Sequence, residues 1–312
     1  MKRRFVMTTE LAVSTHGAQA ILRLVADSLG SEHSRRAYEK ALSDFLEWHV
    51  EQGRPPLSKA VVQAYKANLQ ARGLAPSTVN LRLCAVRKLA AEAADNTLLD
   101  RALANGIKAV KGVRAAGVRS GNWLTRDQAQ ALLNAPDTST LKGLRDRAIL
   151  GVLLGCGLRR SEAAALTVEH VQQREGRWVV CDLVGKGNRT RTVPMPSWAR
   201  ASIDAWMQAA GISEGRLFRA IHKGGYVNGG AMSDQGIADV VRTWARECGL
   251  AALAAHDLRR TFAKLAHKGG AGLDQIQLSL GHASIKTTER YLGVAQDLTD
   301  APCDRLGLRL TE

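Results

Sequence analysis

Apolar positions recur at helical spacing through most of the first hundred residues. Behind Ser34, residues Ala37, Tyr38, Ala41, Leu42, Phe45, Leu46 and Trp48 fall mostly three or four apart, predicting a helix capped by Ser34 and stopped near Gly53 and Pro55-Pro56. A second helix fits Lys59 to Arg72, closed by Gly73. Pro76-Ser77-Thr78 then opens a third, with Val79, Leu83, Val86, Leu89 and Ala90 on one side and Arg82, Arg87 and Lys88 on others. Between Ile107 and Asn122 large apolar residues become few, and Lys108, Lys111, Arg114 and Arg119 mix with Gly112, Gly117 and Gly121, the composition of a linker. The pattern resumes with Thr125 as a cap before Asp127 to Leu133, then an apolar helix through Ala148, Ile149, Leu150, Val152, Leu153 and Leu154. From Trp178 to Val193 it changes to strands: Trp178 to Val184, a tip at Gly185-Lys186-Gly187-Asn188, and Arg189 to Val193. Helices return near Asp234 to Cys248, His256 to His267, and Leu273 to Tyr291.

This order predicts a mainly α protein in two domains: a small helical domain over 1–112, a basic linker over 113–122, and a mostly helical domain with a small antiparallel sheet over 123–312. A length of 312 residues is itself more than one core usually serves. Lys and Arg outnumber Asp and Glu by 44 to 29, a formal charge of +15, which favours a polyanionic partner: nucleic acid first, then membrane surfaces or acidic proteins. No run of about 18 apolar residues crosses a bilayer. The opening Met1-Lys2-Arg3-Arg4 turns polar too soon for a secretory leader, so a cytoplasmic location is expected. Cys84, Cys156, Cys181, Cys248 and Cys303 form no CxxC pair, which argues against a zinc site or a disulfide framework.

Three segments bring a cation or an imidazole to a sharply constrained backbone. Gly155-Cys156-Gly157-Leu158-Arg159-Arg160-Ser161-Glu162 ends one helix and starts another, so the Arg159 guanidinium sits at a bend, able to grip two phosphate oxygens or simply to pair with Glu162. Lys186 lies on a tight turn, where an ammonium either solubilises the loop or donates a proton. His256-Asp257-Leu258-Arg259-Arg260 starts a helix on which both i+3 and i+4 share the histidine's face, so spacing leaves Arg259 and Arg260 equally open. Leu280-Gly281-His282 breaks a helix nine residues before Tyr291, whose phenol is a nucleophile only if cations and imidazoles surround it.

In this order and spacing, Gly157-Leu158-Arg159-x-Ser161-Glu162, the Gly185-Lys186 hairpin running into Arg191-Thr192-Val193-Pro194, His256-x-x-Arg259, Leu280-Gly281-His282 and Tyr291 resemble the tyrosine recombinases of the phage-integrase type. The resemblance spans about Thr125 to Tyr291, and the helical region before it is similar to that family's SAM-like core-binding domain. It implies a two-domain DNA clamp and a site-specific recombinase that cuts and rejoins double-stranded DNA through a 3′-phosphotyrosine on Tyr291. The implied catalytic set is Arg159, Lys186, His256, Arg259, His282 and Tyr291, with Arg259 chosen over Arg260. No metal, ATP or other cofactor is expected, and the implied assembly on DNA is a tetramer. The tail after Tyr291, with Leu298, Leu306, Leu308 and Leu310, is expected to dock in cis or on a neighbouring protomer.

Arg82, Arg87, Lys88, Lys108, Lys111 and Arg114 are the candidate DNA contacts of the first domain and linker. Competing readings are a type IB topoisomerase-like nicking-closing enzyme, a catalytically idle DNA-binding regulator, and a metallohydrolase built on His256 and His282. The last lacks a close carboxylate–histidine cluster in the sequence.

Overall fold

Side-chain caps decide where half of the described α-helices begin. A computed structural model of the protein describes residues 22–114, 122–185, 190–222, 224–250 and 252–292. In it the chain divides into two compact units, Met1–Val118 and Arg119–Glu312.

Among the described residues the first unit is all helical: α1 (Glu32–Glu51), α2 (Lys59–Ala71), α3 (Pro76–Asp95) and α4 (Arg101–Lys108), preceded by a short helical turn over 22–27. The cap of α1 is Ser31, not Ser34: the Ser31 hydroxyl accepts from the Ser34 backbone N–H, so the helix starts at Glu32, five residues before Ala37, the first position of the apolar pattern. Ser58 caps α2, and Pro76 at the start of α3 needs no N–H partner there. The apolar stripes of α1 to α3 meet in one core containing Leu42, Phe45, Tyr65, Leu69, Leu83 and Val86. Within it the Phe45 and Tyr65 rings meet edge to face at 5.0 Å. The sequence pattern missed α4. Asp100 caps this eight-residue helix and Ile107 is fully buried, so Ile107 and Lys108 belong to the helix rather than to linker.

Of the interval 113–122, only Val113, Arg114 and Asn122 are described. The Asn80 side chain accepts from the Val113 N–H at 2.8 Å and donates to its carbonyl at 2.9 Å, holding Val113 against α3.

The second unit opens with α5 (Arg126–Asn134), where Thr125, the cap the sequence signalled, and Gln128 form a reciprocal capping box. Next come the apolar α6 (Leu141–Gly155) and the short α7 (Arg160–Ala165). A three-stranded antiparallel sheet follows in the order β1 (Val171–Arg174), β2 (Arg177–Val184), β3 (Thr190–Pro194). The expected β2–β3 hairpin is present; β1 was not expected, because Gln172, Gln173 and Arg174 are exposed and carry no apolar alternation. Asp182 at φ 55° marks a bulge where the β2–β3 register shifts.

Helix α8 (Ser197–Ala210) and the hairpin of β4 (Arg219–Ile221) with β5 (Val227–Ala231) also went unread. The unit closes with α9 (Asp234–Glu247), α10 (Ala255–Lys268), α11 (Leu273–Leu280) and α12 (Ile285–Leu292), the last two separated at Gly281 in the left-handed region. Its core runs through Ile149, Val152 and Leu153 of α6, Val180 and Val193 of the sheet, and Trp206 of α8, whose indole N–H donates to the Leu217 carbonyl. Among the described residues no helix is long and apolar enough to cross a membrane.

Candidate active site

The turn after α6 is built around glycine. Gly157 has φ +59°, and a Cβ there would lie 2.6 Å from the Phe262 ring, so only glycine lets the chain pass α10. That passage delivers Arg159 to the N-cap of α7. Its backbone N–H donates to Glu162 Oε2 at 2.7 Å and its Nη1 to Oε1 at 2.6 Å. Glu162 is only 7% exposed. Arg191 on β3 grips the same carboxylate as a fork, with Nη1 to Oε1 and Nη2 to Oε2 both at 2.8 Å, while its Nε donates to the Ser279 carbonyl at 2.9 Å.

Arg259, on the second turn of α10, is 1% exposed. Its Nη1 donates to the Gly157 carbonyl at 2.6 Å and its Nη2 to the Leu280 carbonyl, so it joins the turn after α6 to the end of α11. Its Nη1 also lies 4.0 Å from Glu162 Oε2.

One turn earlier, at the solvent-exposed start of α10, His256 meets the tyrosine. The Tyr291 hydroxyl lies 3.2 Å from His256 Nε2 and 3.4 Å from the His256 carbonyl. In the tautomer protonated at Nδ1, Nε2 accepts the phenolic proton. His282, one residue beyond Gly281, pairs Nδ1 with the hydroxyl of buried Thr288 at 3.0 Å, and its ring stands edge-on to Tyr291 at 5.3 Å. The Arg260 guanidinium lies 5.0 Å from the centre of the Tyr291 ring.

Burial sets the protonation states, and the arginines tune them. Burial opposes the Glu162 charge, yet the Arg191 bonds and the Arg159 N–H hold the carboxyl down at about 2. For Arg259, burial and then the charge of Arg159 lower the guanidinium to about 10, which leaves it charged at neutral pH. Burial followed by Arg259 and Arg260 lowers His256, and burial followed by Arg259 and Arg159 takes His282 to about 4. Both imidazoles are therefore neutral near pH 7 and available as acceptors. Burial raises Tyr291, with Arg259 and Arg260 pulling the other way.

The structure thus brings Arg159, His256, Arg259, His282 and Tyr291 into one neighbourhood. Lys186 lies outside the described residues, in the connection between β2 and β3, and the tail beyond Leu292 lies outside them too. The choice that spacing left open is now physical. Arg259 points inward to two carbonyls, whereas Arg260 pairs with Asp257 at 3.1 Å beside the tyrosine ring, and Arg160 pairs with Asp234 at 3.4 Å. Sequence reasoning gave no site role to Glu162 and Arg191, which knit the centre together. Gly281 makes room for Arg191, since a Cβ there would come within 2.9 Å of Arg191 Cδ. Among the described residues no three His, Cys, Asp or Glu side chains converge as a metal ligand set.

The candidate DNA contacts divide. Arg82 pairs with Asp44 at 2.7 Å, Arg87 donates to the Val110 carbonyl, and Lys88 pairs with Glu92 at 2.7 Å. Lys108, Lys111 and Arg114 are exposed.

Comparison with known proteins agrees along the chain. The Phage integrase family model matches residues 122–297, and the Phage integrase, N-terminal SAM-like domain model matches residues 23–96. Tyrosine recombinase XerC of Myxococcus xanthus is 30% identical over 275 residues, covering 85% of this chain and 88% of that protein. Tyrosine recombinase XerD of Pseudomonas aeruginosa strain PAO1 is 31% identical over 263 residues, covering 82% and 77%. Among solved structures, the XerH site-specific recombinase in a post-cleavage complex with palindromic difH substrate has a TM-score of 0.69 at 18% identity, over 92% of this chain and 82% of that one. A lambda integrase dimer bound to a COC′ core site has a TM-score of 0.68 at 16% identity, over 91% and 79%. At these identities the structural likeness speaks for the fold alone.

Proposed function

This chain belongs to the phage integrase family of tyrosine recombinases, and from that premise we propose that it exchanges DNA strands at specific sites through a covalent bond between Tyr291 and a DNA phosphate. The observation that carries the reading is the Tyr291 hydroxyl 3.2 Å from the neutral His256 imidazole, beside a buried guanidinium cluster.

In this reading Tyr291 Oη attacks the scissile phosphorus in line and its proton passes to His256 Nε2. The Oη–P bond forms and the P–O5′ bond breaks, leaving a 3′-phosphotyrosine; the electron pair goes to the 5′ oxygen, which Lys186 protonates. Arg159 and Arg259 stabilise charge growing on the non-bridging oxygens, and His282, held by Thr288, supports the same phosphate. The ester energy stays in the linkage, so a 5′-hydroxyl from a partner strand reverses the step without ATP. The guanidiniums and the ammonium supply the charge stabilisation that a divalent cation gives many phosphoryl transferases, so the step requires no metal. Exchange between two duplexes then takes four protomers, one per strand cut. Exposed Lys108, Lys111 and Arg114 contribute phosphate contacts.

The test is incubation with a nicked duplex carrying the recognition site, in EDTA, followed by a denaturing gel. A covalent protein–DNA species is expected from the wild type and none from Tyr291→Phe. Persistence of the adduct in that variant moves the nucleophile elsewhere; no adduct from the wild type sinks the reading.

A further inference from the structure

Glu162 has two oxygens and three arginines around it, and the way they are shared carries a consequence for the reaction. We propose that Arg191 is a positioning residue that keeps Arg159 available to the scissile phosphate by occupying both oxygens of the Glu162 carboxylate. The assignment rests on the active-site reading above and deepens it.

The first observation is the division of donors. Arg191 takes Oε1 and Oε2 together as a fork, each at 2.8 Å, whereas the Arg159 guanidinium reaches Oε1 alone, through Nη1. Among the described residues Glu162 is the only hydrogen-bond partner of that guanidinium. Its side chain is 29% exposed against 9% for Arg191, and each of the three Arg191 side-chain nitrogens already donates to a protein oxygen. A guanidinium carries five donors in a fixed fork, and those left over are what a phosphate requires.

The second observation is that Arg191 cannot easily leave. Its Nε bond to the Ser279 carbonyl ties β3 to α11, and its side chain lies against Gly281, the residue before His282. One side chain therefore sets the spacing between the Arg159 turn and the His282 turn.

The third is charge. Arg159, Arg191 and Arg259 oppose one carboxylate, which leaves an excess of positive charge where a phosphate would sit. Without Arg191, the buried carboxylate is left to Arg159 and to Arg259, 4.0 Å away. The arrangement then favoured is a fork–fork pair between Glu162 and Arg159, which withdraws from the phosphate the same donors that must bind it.

Neutralising Glu162 should then repair the loss of Arg191. Single-turnover adduct formation on the nicked duplex, at saturating DNA, is measured for wild type, Arg191→Gln, Arg191→Lys, Glu162→Gln and the Arg191→Gln/Glu162→Gln double variant, with Tyr291→Phe as the blank. Arg191→Gln should slow the reaction roughly 100-fold, as loss of a transition-state donor does. Its DNA affinity should stay within about twofold, because the lost contact acts mainly in the transition state. Arg191→Lys should recover part of the rate, since an ammonium neutralises Glu162 but cannot fork it. The double variant should react about tenfold faster than Arg191→Gln alone, a coupling of ordinary size for groups in contact.

A purely structural role predicts the opposite order, with the double variant the slowest. Wild type without adduct overturns the parent reading. Wild type with adduct, together with an Arg191→Gln rate equal to it or a double variant slower than Arg191→Gln, overturns the role of Arg191. Thermal melting accompanies each protein. Should Arg191→Gln not fold, the same ordering is required of Arg191→Lys without and with Glu162→Gln.

Discussion

The two units each contain a carboxylate gathered by arginines with a tyrosine nearby, and they use these parts differently. In the helical unit Asp44 accepts from the Tyr65 hydroxyl at 2.7 Å, from Arg72 through both terminal nitrogens, and from Arg82 at 2.7 Å. In the catalytic unit Glu162 is held by Arg159 and Arg191, with Arg259 close by, and the tyrosine hydroxyl bonds to an imidazole instead. Tyr65 is fully buried, and both that burial and its bond to Asp44 raise the phenol well above its ordinary value. It is a structural donor. Tyr291 is half-buried, and burial raises it while Arg259 and Arg260 draw it back. The same residue types thus make a fastener in one place and a candidate nucleophile in the other. What separates them is which atom receives the phenolic proton, and whether positive charge remains for a ligand.

The sharpest way to break this comparison is to remove one arginine from each cluster. Arg159→Ala should lower single-turnover cleavage about 1,000-fold at saturating DNA, the upper range for losing an oxyanion donor. Arg82→Ala should leave that rate unchanged; a comparable loss there would mean that the Asp44 cluster also acts in the chemistry. Next in size, Tyr65→Phe removes a buried hydrogen bond to a charged group and should cost about 1.5–3 kcal/mol in urea unfolding of the helical unit, with adduct formation in native buffer intact.

Acid sharpens the contrast further. His282 falls to about 4 in the folded chain, so the unfolded chain takes up that proton first. Its contribution to stability is full above the ordinary histidine value of 6.5 and is lost as pH falls toward 4. Glu162, held at about 2 against 4.5, adds a second loss as pH drops below 4.5. Asp44 is lowered from 3.8, so its loss begins only below that. Thermal melting across this range should show the catalytic unit weakening first. Because His256 is also lowered from 6.5, the acid limb of the cleavage rate should lie below that value; a limb above it would count against His256 as the proton acceptor.

The smallest effect concerns binding. Lys111→Ala should reduce the slope of log affinity against log salt by about 0.9, one phosphate contact. Lys88→Ala should change it less, since Lys88 already pairs with Glu92.

Helices with a long apolar stripe were legible in the sequence, because a stripe is local: the segment behind Thr125 and the stripe of α6 announce themselves. Two of the elements missed carry fainter marks. Strand β1 is polar on its exposed residues, and α4 is eight residues long with Ile107 as its only fully buried large side chain. At the site, residue types and order were readable, but direction was not. By spacing, Arg259 and Arg260 are each compatible with the face of His256, and only the carbonyls of Gly157 and Leu280, from distant segments, draw one inward. Arg191 was hidden for the same reason, since its partners lie 29 and 88 positions away.

The two carbonyl bonds of Arg259 bear on how such a chain would decay. His256 meets Tyr291 at the exposed start of α10, so drift there forfeits little beyond chemistry. Arg259 ties two helix ends together, and its replacement would leave the Gly157 and Leu280 carbonyls without these bonds in the interior, a cost to folding whether or not DNA is ever cut. In a lineage released from selection for strand exchange, the histidine should erode early, and position 259 should stay arginine long after the activity had gone.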